Sequence, residues 1–279
     1  MKSLDSATKL YEIIAAKKVY LDEQKRQKPH LQIESELASL EPFSVPNFYD
    51  VLKAEEPKIK LIAEVKKASP SKGVIRNNFS LSDINDAYQV SANVVAISVL
   101  TEKDYFHGSE DILSYFAANN TNNKPLLRKD FIFDTYQILE TKLLGAQAYL
   151  LMASLFDNPI ELEALIAFGQ NLGLEPLVEV HTKGELELVK ATSARVIGVN
   201  SRNMKTLAVD NKIHDLLQDI DNAYARVAES GIESGKDLKR VSAYSDAALI
   251  GTHFMSQENI GEAIETLVAS AASIDEVTT

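Results

Sequence analysis

Glu64 and Lys66 stand two residues apart at the end of an apolar run, in the stretch LIAEVKKASPSKGVI beginning at Leu61. Side chains along a strand alternate with period two, so these two charges share one face. In PLLRKDF the same alternation puts Lys129 with Phe131, opposite Arg128 and Asp130. Glu179 closes PLVEV, Asn200 and Arg202 end RVIGVNSR, and Glu229 and Ser230 end RVAES. Five apolar runs thus finish in an ionisable or amide group. Two lysines among three carboxylates make an acid–base set, because burial and nearby charge tune both types towards working pH. Any one of these residues could instead be an ion pair closing a core. Five such coincidences make that explanation a poor one.

A second signal lies beyond the last two runs. ESGIES and LIGTHFM place Gly231 and Gly251-Thr252 just past them. Backbone N–H groups at such turns hold phosphate in many barrels. Glycine is also the ordinary turn residue, which is the plainer reading. Ser69, in ASPSKG, offers a hydroxyl to the same anion or a cap to the next helix.

Something must carry these groups to one place. Eight apolar runs, KLIAEVK, VVAISVLT, PLLRKDF, AYLLMAS, PLVEVH, RVIGVNS, RVAES and ALIGTHFM, alternate with amphipathic stretches from Lys60 onwards. That rhythm predicts a closed (β/α)₈ TIM barrel, in which each strand is covered on both faces. A charge on such a strand is affordable only at the open C-terminal mouth, since burying an unpaired ion costs several kcal/mol. The competing fold is a doubly wound open sheet. It usually carries a glycine-rich nucleotide loop after its first strand, and none is present. The residues before the barrel read as helical from 3 to about 40, with Leu4, Tyr11 and Ile14 on the periodic face and a break at Lys28-Pro29. A short helix follows in NFYDVLK. The expected organisation is one domain over 1–279, with a helical extension over 1–48 and the barrel over 59–279.

The 279 residues carry a formal net charge of −11, which argues against nucleic acid or an anionic membrane as partner. There is no cysteine, so disulfides and thiol chemistry are excluded. No apolar run approaches membrane-spanning length, and the N-terminus has neither secretory nor transit character. A cytoplasmic protein is expected.

Taken in order, LIAEVKKASPSKGVI, SVLTEKDYFHGS, LLRKDFI, EPLVEVHT, IGVNSRN, ESGI and LIGTHFM resemble the indole-3-glycerol phosphate synthase family over essentially the whole chain. The resemblance implies closure of a carboxyphenylamino-deoxyribulose 5-phosphate to indole-3-glycerol phosphate, with loss of carbon dioxide and water. It implies no metal and no organic cofactor. Lys129 would protonate the ketone oxygen; Lys66 would hold the substrate carboxylate and assist the dehydration. Glu179 is the first candidate for the base, with Glu64 as an alternative or as the group that orients Lys66. Asn200 and Glu229 would bind hydroxyls and steer the lysines, and Arg202 would support the carboxylates. Phe106 and Phe131 would sandwich the aromatic ring. Ser69, Ser230, Gly231, Gly251 and Thr252 would hold the phosphate. His107 and His181 read as residues behind the site, and His253 as an exposed loop residue. A small phosphorylated substrate and a monomer are expected. The rival readings are a Schiff-base lyase built on Lys66 or Lys129, and a barrel that binds without catalysing.

Overall fold

The computed structural model describes residue 2 and residues 8–39, 45–203 and 207–275. Eight parallel strands close on themselves: β1 (Leu61–Val65), β2 (Val94–Leu100), β3 (Leu126–Lys129), β4 (Ala148–Met152), β5 (Glu175–Val180), β6 (Val196–Asn200), β7 (Ala225–Glu229) and β8 (Ala247–Ile250). Each pairs with its neighbours in chain order, and β8 returns to β1 through Leu61↔Ala248 and Ala63↔Ile250. The fold is a (β/α)₈ barrel, with every expected strand in place. Ile62, Ile97, Val178, Ile197 and Val227 are fully buried, as a strand covered on both faces requires.

Ahead of the barrel lie α1 (Lys9–Gln27), α2 (His30–Ala38) and α3 (Phe48–Lys53). The break between the first two falls at Lys28-Pro29, because a proline N has no hydrogen to give to the helix. The buried stripe of α1 is Leu10, Ile13, Ile14, Lys17 and Leu21. Ile14 is on it as expected, whereas Tyr11 is exposed: it sits one residue, about 100° of helix, from Leu10. Leu4 lies outside the described residues. Helix α3 closes the floor of the barrel, its Lys53 bonded to Asp246 at 3.0 Å just before β8.

Around the strands run α4 (Leu81–Val90), α5 (Glu110–Ala118), α6 (Thr135–Leu143), α7 (Pro159–Asn171), α8 (Lys183–Lys190), a 3₁₀ segment over Asn211–Asp219, α9 (Gly235–Ser242), the one-turn α10 (Thr252–Met255) and α11 (Ile260–Ala272). The chain turns into these helices at side chains suited to it. Ser80, Ser109, Asp134, Asn158, Thr182, Ser234 and Asn259 each accept a bond from a first-turn N–H. Such caps satisfy donors that the helix itself leaves open, by about 1 kcal/mol each. Among the described residues no helix is long and apolar enough to cross a membrane.

Candidate active site

The strand ends converge on a cavity at the C-terminal mouth of the barrel. Glu64, Lys66, Lys129, Glu179, Asn200 and Glu229 line it together with Phe106, Phe131, Arg202, Ser230, Gly231, Gly251 and Thr252. Ser69 does not. It is buried, its Oγ is 3.4 Å from Ser71 Oγ, and Ser71 accepts a bond from Arg202 Nη1 at 3.2 Å. Ser69 therefore meets the cavity only through these two neighbours.

Lys129 occupies the centre. Its Nζ lies 3.3 Å from Glu179 Oε2 and 3.2 Å from Glu229 Oε2. Burial alone would discharge the amine, but Glu229, Glu179 and Glu64 more than offset it and hold its pKa well above the ordinary lysine value. Burial works the other way on Glu229, which even with Lys129 beside it is pushed up to about 7 by burial and by the neighbouring carboxylates. Its Oε1 is buried without a hydrogen-bond partner. Glu179 is also buried, yet Lys129, His181 and the Asn200 amide bring it below the ordinary carboxylate range. Two carboxylates a few ångströms apart thus differ in protonation. One is a charged base, and the other exchanges between its acid and ionised forms near pH 7.

Just past β1, Lys66 donates to Glu64 in a short bond. The same oxygen lies against Gly251: a Cβ there would stand 2.3 Å from Glu64 Oε1 and 3.0 Å from Glu64 Cβ, so glycine lets the turn after β8 pack this closely on β1. Ser230 and Gly231 both have left-handed backbone, at φ 65° and 67°. Glycine adopts it freely; Ser230 does so at a cost of about 1–3 kcal/mol, a strain typical of binding turns. The ring centroids of Phe106 and Phe131 are 6.5 Å apart and the planes tilted by 46°. A third ring between parallel faces needs about 7 Å, so the two phenylalanines touch instead of framing an open slot. Arg202 Nη1 also donates to the Leu207 carbonyl, and among the described residues Arg202 forms no ion pair with a carboxylate. Its bonds tie the loop after β6 to the loop after β1.

The structure also places residues that the sequence reading did not assign. Glu102, two positions past Leu100 on β2, is buried in the lining and accepts the backbone N–H groups of Asp104, Tyr105 and Phe106. It thereby fixes the loop that carries Phe106. The alternation that exposed Glu64 pointed to it equally well. His253 is on α10 and lines the cavity, so it is not a free loop histidine; burial lowers its pKa. His107 is exposed and absent from the lining, whereas His181 lies directly behind Glu179, 3.4 Å from its Oε1.

Behind β3 a different set of charges is closed off. Asp130 accepts Lys17 of α1 at 2.7 Å, Thr101 Oγ1 at 2.7 Å and the Phe131 N–H at 2.8 Å. Arg128 is fully buried and reaches Glu110 and Glu140, both at 3.3 Å, and Asp130 at 3.6 Å. Lysine 17 was invisible as a site residue, because its partner is 113 positions away.

A sequence profile described as indole-3-glycerol phosphate synthase matches residues 10–267. The indole-3-glycerol phosphate synthase of Campylobacter jejuni subsp. jejuni is 42% identical over 250 residues, 89% of this chain and 95% of that relative. The one from Clostridium kluyveri is 36% identical over 266 residues, 95% of this chain and 99% of that one. Among solved structures, 3-hexulose-6-phosphate synthase from Salmonella typhimurium superposes with a TM-score of 0.59 at 11% identity, covering 77% of this chain and 99% of that one. That likeness concerns the fold alone.

Proposed function

The chain belongs to the indole-3-glycerol phosphate synthase family, and on that premise we propose how its mouth carries out the family's reaction. The enzyme is a decarboxylating lyase of tryptophan biosynthesis. It closes 1-(2-carboxyphenylamino)-1-deoxyribulose 5-phosphate to indole-3-glycerol phosphate, losing carbon dioxide and water. The observation that carries the assignment of roles is the Lys129 ammonium, gripped by Glu179 and Glu229 at 3.3 and 3.2 Å in the middle of the cavity.

Ring closure sends an aromatic carbon onto the ketone, and negative charge builds on the ketone oxygen. Lys129, kept charged by its carboxylates, gives that oxygen a proton. The aromatic end packs against Phe131, with Phe106 turning aside to admit it. The phosphate rests four strands round the barrel, at Ser230, Gly231, Gly251 and Thr252, where the first N–H groups of α10 have no partner within the helix. Lys66, oriented by Glu64, holds the substrate carboxylate and serves as acid in the dehydration. Glu179 takes the aniline proton. Asn200 positions Glu179, and Glu229 steers Lys129 and binds a hydroxyl. Arg202 and Ser69 brace the phosphate side through Ser71.

We take residues 1–279 as one domain acting as a cytoplasmic monomer. The test is direct. Purified protein is mixed with the carboxyphenylamino-deoxyribulose phosphate and indole fluorescence is followed, beside Lys129→Ala. Signal in the wild type that is lost in the variant supports the roles. Folded wild type without signal refutes them, and trapping of a substrate adduct by borohydride would favour the Schiff-base lyase.

A further inference from the structure

The atom balance of this reaction leaves one proton to be found. The ketone oxygen departs as water and takes up two protons on the way. The methylene carbon beside the nitrogen gives up one as it becomes the indole C–H, and the nitrogen ends with the N–H it began with. The ionised carboxylate leaves as carbon dioxide and contributes none. One proton per turnover must therefore come from outside the substrate. With substrate filling the mouth, the groups that need it are nearly sealed: the side chains of Lys129 and Glu179 are 12% and 2% exposed.

A second route reaches Glu179 from behind. His181 lies two residues further along the same strand face. Its Nε2 is 3.4 Å from Glu179 Oε1, and its Nδ1 is 3.6 Å from Glu185 Oε2 on α8. Side-chain exposure climbs along the row, from 2% at Glu179 through 13% at His181 to 21% at Glu185. Nε2 is buried with no hydrogen-bond partner, and proton-transfer contacts are often long before substrate binds. The two oxygens of Glu179 are divided, Oε1 towards His181 and Oε2 towards Lys129.

We propose that His181, standing between Glu179 and Glu185, supplies through Glu179 the proton that each turnover consumes. The proposal rests on the base role given to Glu179 above. The N–H bond at Nε2 breaks and an O–H bond forms on Glu179, which passes a proton to the amine of Lys129 left short by its donation to the ketone oxygen; Glu179 is then free to act as base in the dehydration, and the proton the substrate gives up there makes good the one that Lys66 donates. The imidazolium becomes neutral imidazole with its remaining proton at Nδ1, facing Glu185. The ring recharges from water between turnovers. The charged groups facing it are Glu179 on its own strand, Glu185 on α8 and Glu229 on β7. Burial disfavours the imidazolium, but the Glu185 and Glu179 carboxylates outweigh it and raise the His181 pKa above its ordinary value.

Glu185 has a plainer use, since its Oε2 accepts the His181 backbone N–H at 2.6 Å and so helps begin α8. Glu185→Gln separates the two, because the amide oxygen still accepts that bond while the charge is gone. The experiment follows kcat and KM between about pH 6 and pH 9 for wild type, His181→Asn, Glu185→Gln and Glu179→Gln. Wild-type kcat is expected to fall as pH rises through the His181 pKa. His181→Asn should lose that limb, run at least about tenfold below wild type on its acid side with KM little changed, and recover with added imidazole. Glu185→Gln should move the limb to lower pH. A folded His181→Asn whose kcat curve parallels wild type and ignores imidazole overturns the proposal. Should His181→Asn not fold, an unmoved limb in Glu185→Gln overturns it equally. Failure of the underlying reading looks different: wild type forms no indole product, or Glu179→Gln is as fast as wild type.

Discussion

Two clusters of buried charge flank β3 and come to opposite ends. The one centred on Lys129 at the cavity gathers Lys66 and the carboxylates Glu64, Glu179 and Glu229, with Glu102 and Arg202 elsewhere in the lining. Towards the helices stand two cations, Lys17 and Arg128, also with three carboxylates, Asp130, Glu110 and Glu140. On the outer side the arrangement is closed: Asp130 takes three donors and its pKa, despite burial, is lowered by Lys17 and Arg128. On the inner side it is left open, with Glu229 Oε1 unpartnered and its carboxyl near 7. Charge content therefore does not mark a site. What marks it is a bond left unmade beside a cavity.

Substitutions on the two faces should separate activity from stability. The largest effect is expected from Lys129→Ala, which should lower kcat by about 10²- to 10⁴-fold in the molecules that stay folded, read by indole fluorescence. A variant that instead unfolds would make the inner set structural. Removing one partner of a buried pair costs about 3–5 kcal/mol, so Asp130→Asn should shift the urea midpoint strongly while the molecules still folded keep most of their activity. Loss of activity without loss of stability would turn the comparison round.

Glu229→Gln sharpens the same contrast through pH. The carboxyl is raised from 4.5 to about 7 in the folded protein, so its stabilising contribution is complete below 4.5 and is lost as pH rises to about 7. Wild type should lose thermal stability relative to Glu229→Gln across that window. Parallel melting curves would show that Glu229 titrates normally. The smallest effect is expected at Ser69, which stands back from the lining: Ser69→Ala removes only its long contact with Ser71 and should change KM by about twofold. A large rise in KM would return it to the phosphate cradle.

The barrel and most of its mouth were legible in the sequence because both follow from local periodicity. A strand covered on both faces reads as an apolar run, and a charge at its end, in step with the alternation, has one place to go. Glu64, Lys66, Lys129, Glu179, Asn200 and Glu229 were found this way and meet at one cavity. Glu102 obeyed the same rule past Leu100 and was passed over. Tyr11 failed for lack of a fixed helical phase, since a single aromatic cannot say which of two adjacent stripes faces inwards. Lys17 and Asp130 were beyond reach for another reason: nothing local announces a partner so distant along the chain. Ser69 and His253 turned on the path of a loop and on a one-turn helix, which depend on tertiary contacts.

The pairing of Leu61 with Ala248 joins the first strand of the barrel to the last. During synthesis β1 leaves the ribosome long before β8 exists, and the ring cannot shut until the final strand arrives. Contacts so distant in sequence form late and slowly, because the loop between them must lose its freedom first. Until then Glu64 has no Gly251 to lean on, and Lys129 has no enclosing wall from β7 and β8. A ribosome-bound nascent chain stopped short of β8 would hold nearly all of the reacting groups and yet bring them to no common centre.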